Sequence, residues 1–223
     1  GVEATLFGMG ATTIAAFAGG MGAAFLAYAL SRVGGRVSTE SLVLSGAALG
    51  AFTGALVSIL ILLHSRSWAE VIGWLMGNVG RADPWPRVKI LAPCLAVGAG
   101  LAWAHARELN LLLFGEETAA QLGVEAEPVK RRLLAAGALC ASAAVATCGM
   151  IGFVGLIVPH VIRRWLGPDH RSLIPASLLG GGALVAAADA LTRALSPDAA
   201  LPVGSVTALA GAPFFLLLLR SRR

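Results

Sequence analysis

Residues 108–127 read ELNLLLFGEETAAQLGVEAE, a polar island between two long apolar runs. A plain helix–helix connection takes about 2–8 residues, so this stretch is long enough to carry structure of its own. Two short helices fit it, 109–114 and 116–122, meeting at Gly115. Glu116 and Glu117 open the second, where acidic side chains suit the positive end of a helix. Ala119, Ala120 and Leu122 then fall largely on one side. At the surface of a membrane protein such a folded loop is a platform for a soluble partner. The competing reading, a helix lying on lipid, wants lysine or arginine on its polar face, and 109–129 contains neither.

Composition sets the class around this island. Hydrophobic residues make up 57% of the 223 and charged residues 13%, against roughly 25% charged in a soluble domain. Mean hydropathy is +0.80, and the 28 glycines fit transmembrane helices, where glycine is frequent. The alternating apolar-out, polar-in segments of a membrane barrel are missing. The expected fold is all-α, a polytopic transmembrane bundle. Cys94, Cys140 and Cys148 stand singly in apolar stretches, without C-x-x-C spacing, and read as small core residues. Gly1 precedes an apolar run with neither initiator methionine nor basic leader, so the chain reads as a piece lacking its own beginning.

A spanning helix needs about 20 mostly apolar residues. Seven candidates follow: 5–30, 42–63, 88–105, 133–148, 151–165, 173–191 and 203–219. The fourth and fifth are short and run together through Gly149 and Gly152, and Pro159 is expected to bend or end the fifth. With seven spans, Arg32, Arg36, Arg107, Lys130, Arg131, Arg132, Arg163, Arg164, Arg171, Arg220, Arg222 and Arg223 share one side. Arg66, Arg81, Arg87, Lys89 and Arg193 take the other. The richer side is cytoplasmic by the positive-inside rule, which puts the C-terminus and the island inside. The net charge of +5 therefore reports topology rather than affinity for nucleic acid.

Gly46, Gly50 and Gly54 repeat at i+4 on the second span, letting another backbone come close. Packing within the subunit, a pathway wall and a subunit contact all fit that stripe. In the loop 65–85, Trp68, Trp74 and Trp85 suit headgroup depth, with 68–76 as a short interfacial helix or an external contact. Asp189 lies inside a span, where a lone carboxylate costs roughly 2.5–3.5 kcal/mol on insertion scales. Arg193, one turn on, can pair with it. His64, His105, His160 and His170 raise a haem-ligand reading, yet none is spaced at i+4 with a second ligand.

Four motifs in order carry a family resemblance: VSTESLVLSGAALG at 37–50, L-x-x-L-x-x-G-E-x-x-A-x-x-L-G within the island, GMIGFVGLIVPHVIRRWLGPDHR at 149–171, and LPVGSVTALAGAP at 201–213. Together they resemble the FecCD-type, or BtuC-like, permease subunits of ABC importers for iron–siderophores, haem and cobalamin. The resemblance implies a ten-span homodimer of which this chain matches the C-terminal seven spans. The family's early asparagine–proline motif has no counterpart here.

The resemblance also implies roles. Leu109, Leu112, Gly115, Glu116, Glu117, Gln121 and Leu122 match the paired coupling helices that sit in a cleft of the ATP-binding subunit. Ser38 and Thr39 match a turn that narrows the cytoplasmic end of the path, and Gly46, Gly50 and Gly54 would line path or interface. A helix N-cap is the plainer role for Ser38 and Thr39, and both roles can coexist. Arg193 matches a docking arginine for a periplasmic or lipid-anchored substrate-binding protein. His160 belongs to the third motif, at the turn after Pro159.

The chain has no ATPase signature of its own. A P-loop places glycine before its lysine, whereas Lys89 and Lys130 each follow valine. No cofactor or metal is expected on this chain. ATP and magnesium would sit on two cytoplasmic partner subunits at the inner membrane of a bacterium. An ion-coupled secondary transporter and a purely structural subunit are the rival classes, and the first would need Asp189 as its titrating group.

Overall fold

The computed structural model describes residues 10–33, 36–63, 68–77, 79, 85–195 and 201–220. Residues 5–9 of the first expected span, His64, Arg66, Arg81, Arg222 and Arg223 lie outside them. Helix α1 (Ala11–Leu30) leads through a two-residue antiparallel pairing, β1 (Arg32–Val33) with β2 (Arg36–Val37), into α2 (Thr39–Leu63). Short α3 (Trp68–Leu75) precedes α4 (Trp85–Ala104), α5 (Ala106–Leu112) and α6 (Glu116–Gln121). The rest is α7 (Ala126–Cys148), α8 (Val154–Leu166), α9 (His170–Leu195) and α10 (Val203–Arg220).

Helices α1, α2, α4, α7 and α9 are long and apolar enough to cross a membrane, and α10 has a shorter described apolar run, Val203–Phe214. The chain is a multi-pass helical membrane protein. No residue of α1 or α2 is buried, and Leu44 and Leu62 are 71% and 79% exposed. In water each Å² of such apolar surface would cost about 25 cal/mol, so lipid or protein must cover these helices.

One expected span comes out differently. Over 151–165 the structure forms α8, only 13 residues long, or about 20 Å at 1.5 Å per residue against roughly 30 Å of hydrocarbon. The loss is at its start, where Gly149 (φ 75°) and Phe153 (φ 66°) take left-handed backbone that a right-handed helix cannot continue. Pro159 does not end the helix but sits within it, since one proline forfeits a single ladder bond and its φ is already helical.

Helix α7 is the hub. It packs on α4 along one side and α1 along another, while α8, α9 and α10 form a second group joined to it through α4. Its buried face is Val129, Ala136, Ser142, Ala143, Ala146 and Thr147, small side chains that let backbones approach. At Gly98 of α4 a Cβ would stand 2.8 Å from the Ala136 carbonyl oxygen and closer still to Cys140 Sγ.

The loops sort to two ends. One end gathers the β1–β2 pairing, α5, α6 and the turn before α9, joined by Val37 to Glu127, Asn110 to Asp169 and Trp103 to the Arg171 carbonyl. At the other, Met76, Met150 and Gly204 bring α3, the α7–α8 link and α10 together. Arg32, Arg107, Lys130 and Arg171 fall at the first end, and Arg87 and Arg193 at the second.

Gly98→Val should lower the stability of the detergent-solubilised protein by about 1–3 kcal/mol through overpacking, read as a fall in melting temperature. Gly100→Val, at a position where no described atom beyond the adjoining backbone of α4 lies within 4 Å of a Cβ, is expected to leave it nearly unchanged.

Candidate functional site

The island folds as two helices turned at Gly115, whose φ of 100° suits glycine because it has no Cβ to clash. The first helix is Ala106–Leu112 rather than 109–114. The Phe114 and Gly115 amides bond back three residues, to Leu111 and Leu112, and close a turn there. The second helix, Glu116–Gln121, carries Glu116 and Glu117 in its first turn. Ala106 and Ala119 are buried, 1% and 0% exposed, in helices that pack on each other, α5 also on α9 and α6 on α7.

What this platform shows outward is mixed in character. Glu116, Glu117, Gln121 and Leu122 are exposed, Gly115 lies at the surface, and Leu109 and Leu112 are half-buried. Leu113 and Phe114, which the sequence reading leaves unassigned, are exposed as well, Phe114 by 73%. Beside them lies an open cleft of about 440 Å³ lined by Arg107, Glu108, Leu111, Gly123 and Arg132. Among the described residues no donor reaches the buried Glu108 Oε2. Acid and apolar surface side by side suit a protein partner with basic and apolar groups.

Two polar tethers fasten the platform to the bundle. From α5, the Asn110 amide Nδ2 donates to Asp169 Oδ1 at 2.7 Å, and its Oδ1 accepts from the His170 backbone N–H at 2.9 Å. His170 Nδ1 lies 2.7 Å from the same oxygen. Asp169 Oδ1 also accepts from the Arg171 N–H at 3.0 Å, which caps the start of α9. The Arg171 N–H and then the Asn110 amide hold the Asp169 carboxyl below its ordinary value of 3.8.

From α6, Glu116 Oε1 meets Lys130 Nζ at 2.6 Å. Lys130 donates as well to the Val37 carbonyl at 3.0 Å and lies 3.5 Å from Glu127 Oε1. That carboxylate oxygen in turn accepts from the Val37 N–H at 3.1 Å.

Ser38 follows Val37 directly. Its hydroxyl accepts from the Ser41 N–H at 3.1 Å, so it caps α2, which starts at Thr39 rather than near Leu42. Ser38 and Thr39 are both exposed. Gly46, Gly50 and Gly54 run along α2 with no described atom beyond the adjoining backbone of α2 within 4 Å of a Cβ placed on any of them, so the stripe packs on no other described element. Arg193 pairs with Asp189, Nε to Oδ2 at 2.9 Å, and stays 63% exposed; as a surface i,i+4 pair it is worth only a few tenths of a kcal/mol.

The described histidines serve separate places. His105 bonds the Leu101 carbonyl, His160 meets Phe214 edge-on with ring centroids 6.4 Å apart, and His170 joins Asn110. Asn110, Leu113, Phe114 and Lys130 are site residues that sequence reasoning passed over. In the sequence alone Lys130 reads only as a basic loop residue.

Comparison with known proteins decides the family, since the FecCD transport family matches residues 2–221. The chain belongs to that family. Among FecCD-type relatives it is 47% identical over 208 residues to the cobalamin import system permease protein BtuC of Halobacterium salinarum, covering 93% of this chain and 56% of that protein. It is 40% identical over 211 residues to the hemin transport system permease protein HmuU of Yersinia pestis, with 94% and 63% covered. With the Fe(3+) dicitrate transport system permease protein FecD of Escherichia coli it shares 37% over 204 residues, covering 92% and 63%. A solved structure described as a metal-chelate type ABC transporter in an inward-facing conformation superposes with a TM-score of 0.82 at 30% identity, covering 94% of this chain and 71% of that one. The chain thus spans between half and two thirds of the length of these curated relatives.

The α5 tether of this FecCD chain has a pH signature. Asp169 titrates lower folded than unfolded, so its contribution is present above the unfolded value and lost as pH falls through the folded one. Asp169→Asn should therefore melt below wild type at neutral pH, and the gap should close well below pH 3.8. A gap independent of pH would contradict the tether.

Proposed function

We propose that this chain is the permease part of an ATP-binding cassette importer that carries a bulky metal chelate across the bacterial inner membrane by alternating access. The cargo is an iron chelate (siderophore, citrate or haem) or cobalamin. One observation carries the reading: a surface platform with exposed acidic and apolar side chains is pinned by separate tethers to the α9 turn and to the start of α2. A partner gripping α5 and α6 can therefore move two parts of the bundle at once.

In this reading Leu109, Leu112, Gly115, Glu116, Glu117, Gln121 and Leu122 form the coupling surface, with Leu113 and Phe114 added. Two cytoplasmic subunits hold ATP and magnesium and supply the hydrolysis that this chain has no P-loop to perform. Their nucleotide states bind the two permease conformations with different affinity, without which no shift is driven. A second permease copy completes the path, and Gly46, Gly50 and Gly54 give α2 a close-approach surface for path or interface. Ser38 and Thr39 form the cytoplasmic gate. Arg193 faces the outside and docks a periplasmic or lipid-anchored binding protein that sets most of the specificity. The charge asymmetry between the two ends supports a cytoplasmic platform and C-terminus.

The rival reading, an ion-coupled transporter, needs a titrating acid within the spans. Asp189 is paired at 2.9 Å with Arg193, one turn on along the same helix, which suits a structural pair at the end of α9.

The test is uptake by the complete importer in proteoliposomes, offered labelled cobalamin, haemin and ferric citrate. Glu116→Lys combined with Glu117→Lys should abolish ATP-dependent uptake of whichever chelate the native complex carries. Uptake that survives this charge reversal and instead collapses with a protonophore at constant ATP would replace the proposal with ion coupling.

A further inference from the structure

Lys130 sits where three segments meet: the N-terminal part of α7, which carries it, the start of α6, and β2. An ammonium has three N–H donors, and three acceptors surround this one: Glu116 Oε1 at 2.6 Å, the Val37 carbonyl at 3.0 Å and Glu127 Oε1 at 3.5 Å. Glu127 closes the ring by accepting the Val37 N–H at 3.1 Å. The backbone of Val37 is thus held on both its polar groups, by two side chains one turn apart on α7. Val37 is 4% exposed and is paired through β2 with Arg32 of β1. On its other side comes Ser38, whose hydroxyl fixes the first turn of α2.

We propose that Lys130 is a positioning residue that links coupling helix α6 to the gate, so that displacement of Glu116 is passed to the Val37 backbone and from there to Ser38 and Thr39. The link rests on the gate and coupling roles proposed above. It explains why one cation faces two carboxylates here. Glu127 alone can hold the Val37 N–H, so Lys130 is not needed to satisfy that donor. What only Lys130 does is join the α6 carboxylate to the same site. Without the cation, Glu116 and Glu127 present like charges to one another, and α6 loses its contact with β2. The contact is also suited to reversal. Lys130 and Glu116 keep 22% and 55% of their side chains exposed, so water can replace either partner when α6 moves, without stranding a buried charge.

The experiment uses the assembled importer with its ATP-binding subunits in nanodiscs. Cys94, Cys140 and Cys148 are replaced by alanine and a reporter, Thr39→Cys, is placed beside the gate. Labelling of that cysteine by a membrane-impermeant maleimide is read with and without ATP, alongside ATP hydrolysis. With Lys130 present, ATP should change the labelling rate. In Lys130→Met that change should be lost while hydrolysis continues, and Glu116→Gln, which cuts only the α6 end of the link, should weaken it in the same direction. Labelling that still follows ATP in Lys130→Met overturns the link alone. Labelling that ignores ATP with Lys130 in place overturns the gate assignment, and the link with it. Loss of hydrolysis together with the labelling response also overturns the proposal, because Lys130 would then be needed for motor assembly rather than for transmission.

Discussion

Helix α7 can stand between α1 and α4 because the faces it turns to them carry alanine, serine, threonine and cysteine. Lipid tails are as apolar as leucine, so helices in a bilayer gain little by hiding apolar surface from one another. Close backbone approach and dispersion contacts hold them instead. Gly98 against Ala136 and Cys140, and Gly20 against Ser142, are the places where that approach leaves no room for a further side chain. This packing fixes the axis of α7, and through it the position of its N-terminal end, where Glu127 and Lys130 reach out to β2 and α6. The polar machinery at that end therefore depends on an apolar fit deep in the bundle.

The tethers belong to a different energetic class from the core. Exposed ion pairs contribute about 0–1 kcal/mol, so the Lys130–Glu116 contact adds little to stability compared with the α4–α7 seam. Weak, solvated contacts between rigid elements are what a switch requires. They define a position while formed and can be exchanged for water at small cost, whereas a packed seam resists small displacements. The Asn110–Asp169 tether is of the same kind, and it couples α5 to the capped start of α9. The platform is thus joined to two rigid bodies by contacts that yield more easily than the bodies themselves.

The apolar runs and the alternation of basic residues were legible without coordinates, because bilayer thickness and the positive-inside bias act on composition over long windows. Helix ends were less so. Arg107 and Glu108 read as loop charges, yet long unbranched side chains favour helix, and α5 begins ahead of them. For the same reason α7 starts at Ala126 instead of 133: hydropathy reports where the membrane begins, not where the hydrogen-bonded ladder does. The shortening of α8 turned on the backbone of Phe153, a residue type that gives no hint of left-handed φ. The tethers were out of reach altogether. Asn110 and Asp169 are 59 positions apart and Lys130 and Val37 are 93 apart, so no local period connects them. Family resemblance suggests the coupling and gate segments separately and contains nothing about what joins them.

Helix α2 shows why its anchor matters. It buries no residue among those described, and its side-chain bond to a neighbouring helix runs from Ser45 Oγ to the Ala27 carbonyl at 2.9 Å. Its glycine row offers lipid very little surface to wrap, since lipid chains cannot follow a backbone as closely as a second small-faced helix can. Among the described residues α2 packs chiefly on α1, and the chain enters it directly from β2. That entry is Val37 and the Ser38 cap. A small movement there swings the far end of α2 through a larger arc, since its 25 residues extend over about 37 Å at 1.5 Å each. In the proposed importer, where α2 borders the path between two copies, movement of Val37 acts at the end of α2 where that wall begins.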